Sequence, residues 1–164
     1  LVIKAVESRA EGLSLDETAD RLLESRHRMC QVFTVGNLKY LKRGGRISNL
    51  KAAVGTVLQI KPLLKGDPEG KIVCFGQVRG RKKSIEMMAE QYDRYAENAE
   101  AETIGIAHAD CPEDAEALIA LLNRSHPPKN VILACYEPMT GAHVGPDALA
   151  LFFYGKKEFR PAMK

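Results

Sequence analysis

Apolar positions along the chain alternate between short β-prone runs and longer stretches with helical spacing. Leu15, Ala19, Leu22 and Leu23 recur at helical spacing behind a capping box in which Ser14 accepts from the backbone and Glu17 reaches back, so the pattern predicts a helix over 15–28. Gln31-Val32-Phe33-Thr34 is short and β-prone and predicts a strand leading into a turn of helix over 37–43, which Gly44-Gly45 ends. Ser48 is a fitting N-cap for a small apolar helix through Ala52, Ala53, Val54 and Val57, locally weakened by Gly55. Runs over 61–65 and 71–78 flank the turn-rich Gly66-Asp67-Pro68-Glu69-Gly70 and predict a hairpin, with Pro62 at a strand start or edge. Ile85, Met88, Ala89, Tyr92, Ala96 and Ala99 mark one face of an amphipathic helix over 81–99. A strand over 102–109, a helix over 113–123 with Leu118, Ile119 and Leu122 inward, and strands over 130–135 and 148–154 complete the pattern.

Strands joined partly by a hairpin and partly by helices imply an α+β fold with a mixed, largely antiparallel β-sheet flanked by helices. At 164 residues the chain has material for one core. The opening Leu1-Val2-Ile3-Lys4-Ala5-Val6 reads as the inside of a helix, which makes the chain a fragment of a longer protein. A 45% hydrophobic and 27% charged composition is ordinary for a soluble globular domain. The net charge of +3 argues against a dedicated nucleic-acid binder. Cys30, Cys74, Cys111 and Cys135 show no metal-ligand spacing and read as reduced, mostly buried thiols of a cytoplasmic protein. No metal or cofactor is expected: there is no Walker loop and no dinucleotide-binding glycine pattern.

Candidate chemistry gathers where charges or rings adjoin residues that bend the backbone. Gly44-Gly45 can present Arg46 from a turn to an anion, and Gly145-Pro146 holds a second turn just after the imidazole of His143. Arg79-Gly80-Arg81-Lys82-Lys83 puts four cations at a helix start, where the macrodipole disfavours them, so the cluster is either a solvated basic face or a docking patch. His108, at a strand end, and His126, before Pro127-Pro128, read as structural or exposed. No serine lies in a nucleophile elbow and no cysteine is paired by motif with a histidine, so an enzyme is not expected.

Four blocks in order carry a resemblance: Tyr40-Leu41-Lys42-Arg43-Gly44-Gly45-Arg46-Ile47; Ile60-Lys61-Pro62; Gly70-Lys71-Ile72 followed by Val78-Arg79-Gly80-Arg81-Lys82-Lys83; and Gly141-Ala142-His143-Val144-Gly145-Pro146 with Ala148-Leu149. With these, the chain resembles the C-terminal domain of the DegV family of bacterial fatty-acid-binding proteins over nearly its whole length. The resemblance implies that residues 1–164 are the lipid-binding domain of a two-domain carrier whose N-terminal domain is absent. The acyl tail would lie in this domain and the carboxylate at the interdomain cleft, to be phosphorylated by a separate fatty-acid kinase.

The resemblance makes His143 a carboxylate contact, and Arg46, Arg79 and Arg81 a cationic rim that orients the head group or docks the kinase. Ala53, Val54 and Leu58, with Ala52 and Val57, are the expected tunnel wall. Burying a chain of about 16 carbons gains on the order of 10 kcal/mol, so affinity lies in the tail, while the carboxylate must stay hydrogen-bonded. Two features depart from the family pattern: the missing N-terminal domain, which supplies Ser and Thr contacts to the carboxylate, and Asp147, where the family usually has Gly. The isolated chain is therefore expected to bind fatty acid weakly, to expose an apolar interdomain face and to allow a peripheral membrane contact. The alternative, from another class, is an enzyme acting on a small anionic substrate through Arg46, Arg79 and His143.

Overall fold

The computed structural model of the chain describes residues 1–45 and 59–159. The expected helix after Ser48, the tunnel-wall residues Ala53, Val54 and Leu58, and Arg46 lie outside the described residues. Two N-terminal helices, α1 (Val2–Ala10) and α2 (Leu15–Ser25), precede β1 (Met29–Thr34) and a short α3 (Lys39–Arg43). The hairpin β2 (Ile60–Gly66) and β3 (Ile72–Arg79) leads into α4 (Arg81–Tyr95); then come β4 (Thr103–Ala109), α5 (Pro112–Ser125), β5 (Asn130–Cys135), α6 (Pro138–Val144) and β6 (Ala148–Tyr154). Six strands form one sheet in the order β3-β2-β1-β6-β4-β5, with β4 and β5 parallel and the other neighbours antiparallel. The expected α+β class with a mixed, largely antiparallel sheet is what the chain adopts.

The predicted capping box is present, with the Ser14 hydroxyl accepting from the Glu17 amide and Glu17 accepting from the Ser14 amide. Pro62 lies near the start of β2, opposite Gln77 and short of the part of the strand that pairs with β1, so its missing N–H breaks no ladder there. The helix expected over 81–99 stops at Tyr95. Beyond it the backbone exchanges helical bonds for sheet-like ones: Glu97 N–H donates to the Tyr154 carbonyl, Lys156 N–H donates to the Tyr95 carbonyl, and Ala96 bridges Gly155. Asn98 then takes a left-handed conformation, φ 49°, and Ala99 is buried in a 3₁₀ turn rather than on the helix face.

One sheet face carries the main core. Val32, Leu63, Ile104, Ile106, Leu149, Leu151 and Phe153 meet Ile85, Met88 and Tyr92 of α4 and Leu118 and Leu122 of α5. Strand alternation sends the intervening residues to the opposite face, where Leu64, Ala109 and Ala148 join Val35 and Leu41 in a second cluster flanked by Phe33, Tyr136 and Val144. Among the described residues, no helix is long and apolar enough to cross a membrane.

Within the main core the Tyr92 ring packs edge-on against Phe153 at 5.2 Å, and burial pushes its phenol up to about 12. Its hydroxyl is buried without a hydrogen-bond partner. Removing an unsatisfied hydroxyl recovers part of its desolvation penalty. Tyr92→Phe is therefore expected to leave stability unchanged or raise it by up to about 1 kcal/mol in urea unfolding; a clear destabilisation would show that the hydroxyl is used.

Candidate functional site

Strand direction decides where the candidate residues meet. Because β6 is antiparallel to both β1 and β4, β1 to β2, and β2 to β3, the carboxyl ends of β1, β3, β4 and β5 fall at one end of the sheet, together with the starts of β2 and β6. From that end depart α3, α4, α5 and α6. The N-termini of α4 and α5 contribute positive potential to this end of the sheet.

His143 sits in the last turn of α6 at this end and is half-buried. Sequence reasoning placed it in a turn; the turn begins only at Gly145, φ 76°, and the imidazole is carried by helix. A Cβ added to Gly44 would stand 2.5 Å from His143 Nδ1, and one added to Gly145 would overlap the Tyr40 ring. The two glycines are thus places where α3 and α6 approach closely. At the preceding pair the chain divides the roles: Gly44 keeps a right-handed conformation, φ −73°, and Gly45 takes the left-handed one, φ 71°. Among the described residues, no hydroxyl, thiol or carboxylate hydrogen-bonds the His143 ring.

Pro138 and Glu137 start α6. The Glu137 carboxylate accepts from the amides of Met139 and Thr140 and from the Thr140 hydroxyl. These bonds, the Thr140 hydroxyl foremost, hold its pKa below the ordinary value, and the nearby His143 adds to the shift. Asp147 adopts the left-handed conformation, φ 61°, which a glycine would take without strain, and its amide donates to the Ala109 carbonyl at 2.8 Å.

The basic block divides. Arg81 donates through Nε to Asp114 Oδ2 at 2.8 Å and lies 3.6 Å from Cys111 Sγ, tying the starts of α4 and α5 together; its Nη1 is buried without a partner. Burial pushes the Cys111 thiol up, with Arg81 opposing. Lys83 faces Glu86 and Glu90 on its own helix. Arg79 and Lys82 are exposed and, among the described residues, form no ion pair. The carboxyl end of β3, and so Arg79, lies three strand spacings from β6, roughly 14 Å across the sheet. The structure therefore brings Arg79 and His143 to the same end of the sheet, one on β3 and one on α6. His108 accepts from the Cys111 amide, and His126 pairs with Asp93. Cys30 and Cys111 are buried and Cys135 is exposed. Sequence reasoning missed Glu137, whose place before Pro138 was a legible helix-start signal, and Tyr40, whose partner is a glycine 105 positions away that no local pattern reveals.

A family model describing uncharacterised proteins of the DegV family matches residues 1–156. The chain belongs to the DegV family. It is 39% identical over 155 residues to a DegV domain-containing protein of Clostridium perfringens, covering 94% of this chain and 53% of that protein. Two solved structures share its fold: a DegV-family protein of Thermus thermophilus described by its fatty acid binding, at 28% identity and a TM-score of 0.85, and a fatty-acid-binding DegV-family protein of Streptococcus agalactiae, at 29% and 0.82. Each alignment covers 94% of this chain, against 55% and 54% of those proteins. This DegV chain thus spans about half the length of the relatives it matches.

Because Glu137 is depressed in the folded state, its cap contributes fully above the ordinary value of 4.5 and is lost as pH falls through the lower folded value. Amide exchange at Gly141 and Gly145, the helical bonds of α6, is expected to lose protection below pH 4.5, and Glu137→Gln should flatten that dependence. Unchanged protection across this range would remove the cap from the account of α6.

Proposed function

We propose that residues 1–164 form the C-terminal, acyl-holding domain of a fatty-acid carrier that presents a carboxylate to a separate fatty-acid kinase and performs no bond chemistry itself. The observation that carries this reading is the position of His143 at the strand ends, beside a sheet face of small and apolar residues. On that face Ala107 stands opposite Ala150, and Ala109 opposite Ala148, so the side chains there are small. A tail laid there would put its head group at the imidazole. The fatty-acid binding described for the Thermus and Streptococcus agalactiae proteins supports the ligand class.

His143 contacts the carboxylate in this reading, with Ala53, Val54 and Leu58 as tunnel wall and Arg46 beside the head group. Arg79, exposed, unpaired and set apart from the imidazole, serves the kinase, while the Asp114 bond makes Arg81 a support for the rim rather than a free cation. The exposed apolar residues of α1 (Val2, 79%; Val6, 51%) and β5 (Ile132, 50%; Leu133, 45%) supply surface for the half of the protein that the relatives have in addition.

Mass spectrometry of an organic extract of the whole two-domain protein, purified from bacteria without added lipid, is expected to show near-stoichiometric long-chain fatty acid. An empty, well-folded protein that also refuses added fatty acid would overturn the reading. Arg79→Ala in the loaded protein should change fatty-acid affinity less than twofold and lower kinase-dependent acyl phosphate formation at least tenfold. Equal loss in both would contradict the division between tail and docking residues.

A further inference from the structure

We infer that Tyr40 and Gly44 are positioning residues for His143, and that their contacts with α6 leave the imidazole to meet its ligand through Nε2. The inference about the ligand rests on His143 being the carboxylate contact; the positioning itself does not. A helix of seven residues with no fully buried side chain has little packing of its own beyond Val144 against the second cluster, so the orientation of α6 depends on its two ends. Glu137 fixes the first. At the second, the contacts are reciprocal: the ring of Tyr40, on α3, lies against Gly145 just past α6, and the ring of His143, on α6, lies against Gly44 just past α3. Neither glycine has room for a methyl group.

The atoms nearest to a Gly44 Cβ are His143 Nδ1 at 2.5 Å, then Cε1 and Cγ at 3.5 Å. The Nδ1 edge of the ring is therefore turned against backbone, and Nε2 stands on the far side. An imidazole whose one nitrogen is occluded offers a single site, and a carboxylate that hydrogen-bonds to it is held in one orientation rather than two. Tyr40 and Gly44 both belong to the sequence block that carries Arg46.

Long-range proton–nitrogen NMR of the His143 ring in the 164-residue chain reads the positioning directly. Gly44→Ala is expected to shift both ring nitrogen signals with helix content unchanged, and in the whole protein to weaken palmitate binding at least tenfold. In a His143→Ala background the space for the methyl is restored, and Gly44→Ala should then change palmitate affinity less than twofold. Ring signals unmoved by Gly44→Ala, or the same affinity loss in the His143→Ala background, would overturn the inference. Should Gly44→Ala not fold, Tyr40→Leu frees Gly145 without adding bulk at Gly44 and is expected to move the same ring signals; unmoved signals again overturn it. If His143→Ala leaves palmitate affinity unchanged, the carboxylate assignment fails, while the ring signals still decide the positioning.

Discussion

The register of β6 is the constraint on which the rest depends. It is the last strand among the described residues and lies in the interior of the sheet, paired with β1 from Thr34↔Leu149 to Met29↔Tyr154 and with β4 from Ala109↔Ala148 to Gly105↔Phe152. Its alternation is strict: Leu149, Leu151 and Phe153 go to the core under α4 and α5, and Ala148 goes to the cluster on the other face. A slip of one residue would put alanines in the main core and Leu and Phe on the face that the alanines occupy. The same pairing aligns β1 with β4, which gathers the strand ends, and the helices leaving them, at one end of the sheet. Fold and site are set by one strand.

Electrostatics at that end follows from a conflict that the fold only partly resolves. Cations at the start of α4 oppose its dipole, worth a few tenths of a kcal/mol or more. Arg81 is compensated by Asp114 on α5, and Lys83 by Glu86 and Glu90. Arg79 and Lys82 gain no partner among the described residues, so their charge is presented outward. Two uncompensated cations beside the starts of two helices make this end of the sheet locally positive, the sign that attracts anionic groups at long range.

Elements with a strong local period were legible in the sequence: the capped α2, the β2–β3 hairpin, α5 and the final strand. What the sequence hid was decided by long-range pairing. Nothing local shows that Ala96 would leave its helix to bridge Gly155, because that choice depends on where β6 ends. Helix α6 was obscured by Pro138 and Gly141, poor helix interior residues that a start position and a neighbouring helix make acceptable. The site divided in the same way. His143 and the basic block were visible as motifs, whereas the commitment of Arg81 to Asp114 and the fit of Tyr40 on Gly145 exist only in the folded chain.

The choice of histidine at such a site has a physical reason. In the proposed carrier, the carboxylate oxygen that is to attack a phosphate has to be left unengaged. A single imidazole nitrogen makes one bond to one carboxylate oxygen and leaves the other unengaged. On the proposed reading the tail would contribute most of the binding energy, on the order of 10 kcal/mol for about 16 carbons, so the head group would not need a strong partner. It would need a fixed one. On that reading the two glycines that seat the His143 and Tyr40 rings would meet the requirement with packing alone.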